Sequence, residues 1–428
     1  MNTIDRRVLL LGSAGLLVSA CGGSNGDPKK TKGPNIVKPD AGTVVTAEDT
    51  AALRKRLNDA FQARDIDQLI KVIDPDDLSL DEVRARWVRR FDNFTRIPVT
   101  GEWYVGAPSG RTRNGSGGQI EYGGDLVFAH QIRGCDGQQV VETYDADFRK
   151  KSEDAPLELM HIGDPKEDYD PSFWDVAKID AIETEHAYIA FRPKDAGTAK
   201  AYRDRIEAGA KRAFAAMQKP KGVSKVFYAL TWPEIDGKLY GGISLKDRGA
   251  HAYYHPFVKP EDLAKGQTTR STPKGLPQAT GRVGMHQLAF AGRYDVTEVA
   301  AHEAIHVLAN QWLGIGDRPT WVVEGLATWG EAGASTLMAR SGGRIRSFFG
   351  SFVPRALKDY QAFQESGNVN DMYNCAGAVF AYLEDTGGKD AVYEVASAYY
   401  DEGRSGAPKI LGRSEKELLN ATRKWLGA

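Results

Sequence analysis

Apolar positions along this chain fall into blocks whose period changes from helix to strand and back. Leu53, Leu57 and Phe61 stand one helical turn apart behind Thr46, a residue type that caps helix N-termini. Leu69, Ile70 and Ile73 continue the helical reading, and Val83, Trp87, Phe91 and Phe94 repeat it. After Pro98 the texture changes to short β-type runs over 102–105, 119–132, 138–148 and 157–162, split by Gly-rich turns. Helices followed by a curved sheet predict an α+β unit. The acidic segment 165–171, bounded by prolines, reads as its end. Beyond it, a strand near 186–191, a helix through Tyr202, Ile206, Ala213 and Met217, and a strand at 226–230 mix the two periods. The run 282–290 comes next. It leads into a helix that Asp295 caps, with Glu298 three residues on and Ala301, Ile305, Leu308 and Trp312 on an apolar stripe. Pro319 is placed to open another helix, and 373–384 reads as one more, closed by Gly387 and Gly388.

The N-terminus reads as an address rather than as structure. Arg6 and Arg7 precede a short apolar stretch ending Val18-Ser19-Ala20-Cys21, too short to span a bilayer. It resembles a bacterial lipoprotein signal, which implies that Cys21 is diacylated and anchors an exported protein to the cell membrane, facing outside the cytoplasm. An ordinary secretory signal with an incidental cysteine is the alternative, and Sec and twin-arginine export both stay open. The Gly, Lys, Pro, Asn and Asp of 22–45 have little to bury and predict a flexible tether. The expected plan is therefore a signal peptide over 1–21, a tether over 22–45, an α+β domain over 46–165 and a second, mainly helical domain over 166–428. A hydrophobic content of 41% over 428 residues is enough for two such domains. The formal charge of −1 and the lack of a basic run give no reason to expect nucleic acid as a partner. Besides Cys21 there are only Cys135 and Cys375, in different expected domains, so no disulfide between them is expected.

The densest chemistry is His302-Glu303-Ala304-Ile305-His306. On a helix, residues four apart share a face, so His302 and His306 can converge on one metal ion. Glu303 cannot lie on the metal beside them, but it can reach a water there, which is the general base's place in a zinc hydrolase. The histidines fall off the apolar stripe, toward a cleft. A catalytic zinc needs a third protein ligand and an open position. Glu324 follows His306 by 18 residues, in Trp321-Val322-Val323-Glu324-Gly325-Leu326-Ala327, and an acid in so apolar a turn needs a partner. A second histidine pair, His251 and His255, is followed at once by Pro256 and has no carboxylate at motif spacing. His286 reads as a cleft residue, and His130, His161 and His186 as structural.

These motifs resemble the gluzincin metallopeptidases, the aminopeptidase-like clan in which HExxH is followed at this distance by W-x-x-E-G-[FL]-A. The resemblance implies a zincin-like domain with a small edge-stranded sheet, in which 282–290 takes the place of the edge strand that accepts a peptide by main-chain hydrogen bonds, one Zn²⁺ per chain held by His302, His306 and Glu324, and hydrolysis of peptide or protein substrates. Tyr373-Asn374-Cys375 through Tyr382-Leu383-Glu384 is similar to the helix whose leading tyrosine stabilises the oxyanion in that clan, which implies this role for Tyr373 beside the base Glu303. The alternative for Tyr373 is a core position. Many gluzincins orient a zinc histidine with an acid on the third-ligand helix. One turn after Glu324 stands Thr328, so Glu298, one turn before His302, is the other candidate for that contact. No G-A-M-E-N sequence precedes the zinc helix, so an exopeptidase preference is not implied. Residues 46–165, with Phe91-Asp92-Asn93 ahead of Ile97-Pro98, are similar to the cystatin-like or nuclear-transport-factor-like domains that precede peptidase domains in some actinobacterial exported proteins. A lipoprotein that uses the fold as a binding scaffold without turnover is the competing function.

Overall fold

The computed structural model describes residues 45–73, 80–114, 119–165, 172–239, 249–257, 279–313, 318–358 and 368–428. The signal, Cys21 and all but the last residue of the tether lie outside the described residues. The chain opens with helices α1 (Ala47–Ala63), α2 (Ile66–Val72) and α3 (Leu80–Phe94). Thr46 caps α1 as its side chain predicts, accepting from Asp49 N while the Asp49 carboxylate takes the Thr46 N–H. Four strands follow, β1 (Val99–Asn114), β2 (Ile120–Ile132), β3 (Val140–Lys150) and β4 (Leu157–Pro165), paired antiparallel in chain order. The mixed α+β class is thus present from the first unit.

The second part begins with the short helix α4 (Phe173–Val176) and a five-stranded sheet. Its strands are β5 (Asp180–Glu183), β6 (Ala187–Phe191), β7 (Val226–Thr231), β8 (Ala250–Pro256) and β9 (Ala279–His286), in the order β5-β6-β7-β9-β8. Helices α5 (Ala196–Ala216) and α6 (Pro233–Leu239) are connections within it, and α7 (Val296–Leu313), α8 (Thr320–Ala332), α9 (Ala334–Ala356), α10 (Val369–Leu411) and α11 (Glu415–Leu426) follow. The backbone leaves the helical region at Gly388 (φ 70°) and Gly403 (φ 65°), which divides α10 into successive segments. Gly388 closes the first of them where the glycine pair predicts. Among the described residues no helix is long and apolar enough to cross a membrane.

One expectation changes. The strand before α7 is not the sheet's edge: β9 lies between β7, its parallel neighbour, and β8, its antiparallel one. It also stops at His286, and 287–290 form a 3₁₀ turn whose Leu288 N–H the His286 ring accepts at 3.3 Å. Among the described strands β8 is the outer one on this side.

Strand alternation decides what each sheet face meets. Ala187, Ile189, Val226, Tyr228, Leu230, Ala252, Val283 and Met285 point to a core shared with α5, α7 and α8. The intervening Tyr188, Ala190, Phe227, Ala229 and Tyr253 point the other way, into a core with Phe61, Trp87, Phe94, Phe128 and Trp174. The first unit therefore packs on the back of the second unit's sheet, and the 165–171 boundary does not divide two hydrophobic interiors. Asn93 of the Phe91-Asp92-Asn93 run stitches the join. Its amide donates to Trp174 O (2.8 Å) and Ala177 O (2.9 Å), and its oxygen accepts from Ile179 N (3.0 Å).

Candidate metal centre

Helix α7 is buried around nearly its whole circumference, as a helix between a sheet and other helices must be. It carries His302 and His306 one turn apart, at 1% exposure each, with their Nε2 atoms 3.1 Å from one another. Helix α8 brings Glu324, wholly buried, so that its Oε2 stands 3.3 Å from His302 Nε2 and 3.6 Å from His306 Nε2. The three sequence-predicted ligands thus converge across two helices. Glu185, His186 and Glu207 also cluster, but at the surface, and the Glu207 oxygens already take the Thr184 hydroxyl (2.5 Å), the His186 N–H (3.0 Å) and the His186 ring (2.6 Å). His251 and His255 fall on strand β8 and not on a helix, so their backbone positions stand about 13 Å apart along the chain.

The donor set fits a tetrahedral cation. Zinc bonds to imidazole nitrogen and carboxylate oxygen at about 2.0–2.2 Å, which puts tetrahedral donors about 3.3–3.6 Å apart. Two of the three separations, 3.3 and 3.6 Å, fall on that edge, and the third, 3.1 Å between the imidazoles, is slightly shorter. Tautomer chemistry agrees. His302 Nδ1 stands 2.7 Å from Glu331 Oε2 and supplies the proton there, so a neutral ring turns its Nε2 lone pair toward Glu324 and His306. Lone pairs facing a carboxylate call for a positive charge between them. A proton competes for the same position: burial works to lower the His302 pKa, but the Glu331 and Glu324 carboxylates lift it well above the usual imidazole value, so the site favours positive charge. Burial works to raise the Glu324 pKa, and the two imidazoles drive it far below the usual carboxyl range.

No protein-family model and no curated protein matches the chain.

Glu303 is 2% exposed and its Oε2 has no hydrogen-bond partner among the described residues. Burial lifts its pKa, and the nearby imidazoles and the Ala252 backbone amide of β8 only partly offset this. A buried carboxylate with an unmatched oxygen beside a cation site is suited to hold a water and take its proton. Tyr373, on α10, is 2% exposed, and its ring stacks toward His302 at 6.3 Å between centroids and 28° between planes. It is both part of the apolar stripe and a neighbour of the ligand set.

Two glycines let these helices meet. A Cβ on Gly325 would lie 2.7 Å from Ala376 O, and a Cβ on Gly377 would lie 2.9 Å from the Thr328 methyl carbon. The glycine beside Glu324 is thus what permits α10, with Tyr373, to lie against α8.

The orienting carboxylate is not where the sequence placed it. Glu298 pairs with Arg340, and Thr328 turns its methyl to Gly377 while its buried hydroxyl has no partner among the described residues. Glu331 stands in their place, seven residues after Glu324. Seven residues are two helical turns, so the same face carries both acids, and a search extended from one turn to two would have found it.

Proposed function

We propose that this protein is an exported, lipid-anchored zinc metallopeptidase of gluzincin type. The observation that carries the reading is the buried His302, His306 and Glu324 set at tetrahedral spacing, with the unmatched Glu303 carboxylate oxygen beside it. These three residues would hold the zinc. When bound, the metal supplies a Lewis acid that polarises a carbonyl and brings the pKa of water toward about 7. Glu303 accepts the attacking water's proton and delivers it to the leaving amine, so the carboxylate is restored after each turn. Its raised pKa moves it toward neutrality, where proton acceptance and release are best balanced. Tyr373 donates its phenol hydrogen to the oxygen on which negative charge develops. Glu331 keeps His302 in the tautomer that offers Nε2. The outer strand β8, whose Ala252 amide faces Glu303, is the backbone against which a peptide would extend. The stretch ending Val18-Ser19-Ala20-Cys21 supports anchoring through lipid, and the α1–α3 and β1–β4 unit supports the cystatin-like or nuclear-transport-factor-like reading of the first domain.

The test is zinc per chain beside digestion of a broad peptide library. Glu303→Gln keeps size and shape but cannot accept a proton, so zinc content should hold while turnover falls about 10²- to 10⁴-fold. Tyr373→Phe should cost about 10²- to 10³-fold by analogy with removal of one oxyanion donor. His302→Ala should lose metal and activity together. Full-rate cleavage by the Glu303→Gln protein would sink the mechanism, and a zinc-loaded wild type that cuts nothing would favour the scaffold.

A further inference from the structure

The join between the two units buries a set of charged side chains that the metal site does not use, with one imidazole among them. His130, on β2, is wholly buried. Its ring stacks on Phe128 at 5.2 Å between centroids and meets Trp174 edge-to-face at 5.4 Å, and neither ring nitrogen has a hydrogen-bond partner among the described residues. Trp174 belongs to α4 and in turn meets Phe227 of β7 at 6.3 Å, so it lies between the imidazole and the second unit's sheet. The nearest carboxylate is Glu142 of β3, 3.8 Å from His130 Nε2, and both its oxygens are in use. Oε1 accepts from the Ser172 hydroxyl at 2.9 Å, and Oε2 accepts from Arg90 Nη2 at 2.9 Å and from the Tyr144 hydroxyl at 2.5 Å. Arg90, on α3, also pairs with Asp175 of α4. On the other side, Asp136 accepts the Ile132 N–H of β2 at 2.6 Å and holds Arg282 of β9 at 2.5 and 2.8 Å.

Each carboxylate near the ring is thus already matched to a guanidinium, and an imidazolium here would give up its hydration without gaining an acceptor. Burial lowers the His130 pKa from its ordinary 6.5; Glu142 and Asp136 pull the other way, and Arg282 and Arg90 cancel part of that pull. We propose that His130 is an acid-sensitive latch between the two units: the closed joint admits only the neutral ring, and acid favours the form in which α4 and the sheet have moved off it. A group kept from its charged form contributes stability that is fully present above pH 6.5 and is lost as pH falls below it. Asp175, whose pKa burial raises, acts with the opposite sign, so the effect of His130 is read as a difference from a variant that lacks the imidazole. The turn that carries Asp136 also holds Gln311 of α7, through Cys135 O at 2.8 Å, so release of the joint reaches the helix of His302 and His306. The latch does not depend on the hydrolase reading.

The test is amide hydrogen exchange on the whole chain, read by mass spectrometry between about pH 7.5 and about pH 5.5 and corrected for the intrinsic pH dependence of exchange. Segment 173–180, which carries Trp174 and the Ile179 N–H bonded to Asn93, reports on the joint, and α11 serves as the reference. Opening at 173–180 relative to α11 should rise about tenfold across that range in wild type, the factor that one imidazole gives when only its open form takes the proton. His130→Phe keeps an aromatic ring against Phe128 and Trp174 and cannot titrate, so its ratio should stay flat. A wild-type ratio that does not move, or that moves equally in His130→Phe, overturns the latch, as does acceleration of α11 in step with 173–180. The ring is also read directly in wild type, by NMR of carbon-13-labelled histidine with the His130 signal assigned through His130→Gln, and this decides the matter should the Phe variant not fold. A ring still neutral in the closed protein at about pH 5.5 supports the latch, and one that takes its proton in the closed protein above that pH overturns it.

Discussion

At His302 the two ring nitrogens meet different partners, a carboxylate on one side and the ligand set on the other, so the ring's rotation and its tautomer are set together. A contact of this kind raises ligand basicity, and its loss typically costs 10- to 100-fold in metal affinity. Glu331→Gln should therefore weaken zinc by about that factor, read by competition with a chromophoric chelator. Glu298→Gln, whose carboxylate faces Arg340 instead, should leave zinc affinity at the wild-type value. Unchanged affinity in the Glu331 variant would remove its orienting role. The ligand set itself was legible because each part lies within one helical turn or one short motif, and an ion site needs few atoms. Glu331 was harder to see, since helix periodicity offers a face every three or four residues and only the fold decides which turn of it the ring reaches.

Among elements, the contact of α8 with the first segment of α10 is a close constraint on the geometry of the candidate site. Each helix presents a glycine to the other, and Gly325 faces peptide backbone, which cannot rotate out of the way. Gly325→Ala should cost about 1–3 kcal/mol by overpacking and push Tyr373 from His302. A thermal melt paired with turnover checks this, and a variant as stable and as active as wild type would show that the approach has slack. Periodicity did reveal α1–α3, α5, α7, α8, the first segment of α10 and most strands, with Thr46 and Gly388 marking ends, while α6, α9 and α11 went unread. The order of strands was not open to it. That 250–256 is outermost among the described strands and 279–286 internal depends on pairing between segments distant in the chain, while alternation reports only which residues share a face.

For the molecule as a whole, the turn between β2 and β3 reaches across to the metal-ligand helix. Gln311 of α7 donates to Cys135 O at 2.8 Å and accepts from Gly137 N at 3.0 Å, while Asp136 takes Arg282 of β9 in a buried two-point ion pair. All three candidate ligands lie after residue 171, yet a fragment starting there would leave Arg282 unpaired and Phe227, Ala229 and Tyr253 facing water. We expect that fragment to aggregate or to bind zinc far more weakly than the whole chain, measured by sedimentation and metal content. Asp136→Asn should cost about 3–5 kcal/mol because a buried guanidinium loses its charge partner. The pH dependence has a definite sign. Burial alone raises the Asp136 pKa, but Arg282 and the Thr280 hydroxyl bring it below its ordinary value of 3.8. Its contribution is thus fully present above that pH and is lost as pH falls through the lower, folded value. Denaturant midpoints measured from pH 6 down to about pH 2 should fall in wild type, with a shallower acid limb in Asp136→Asn.

Cys135 and Cys375 are both reduced and buried, one in each of the two hydrophobic cores, and burial raises both thiols far above their usual pKa. A thiol so protected reacts only when its surroundings open. In the protein beginning after Cys21 the chain therefore carries a matched pair of internal reporters. Pulsed alkylation under mild denaturant, read by mass spectrometry, should modify the two at one common rate, because the sheet that separates the cores is also what joins them. Early labelling of Cys135 alone would instead show the first unit lifting off the sheet while the half that holds His302, His306 and Glu324 stays closed.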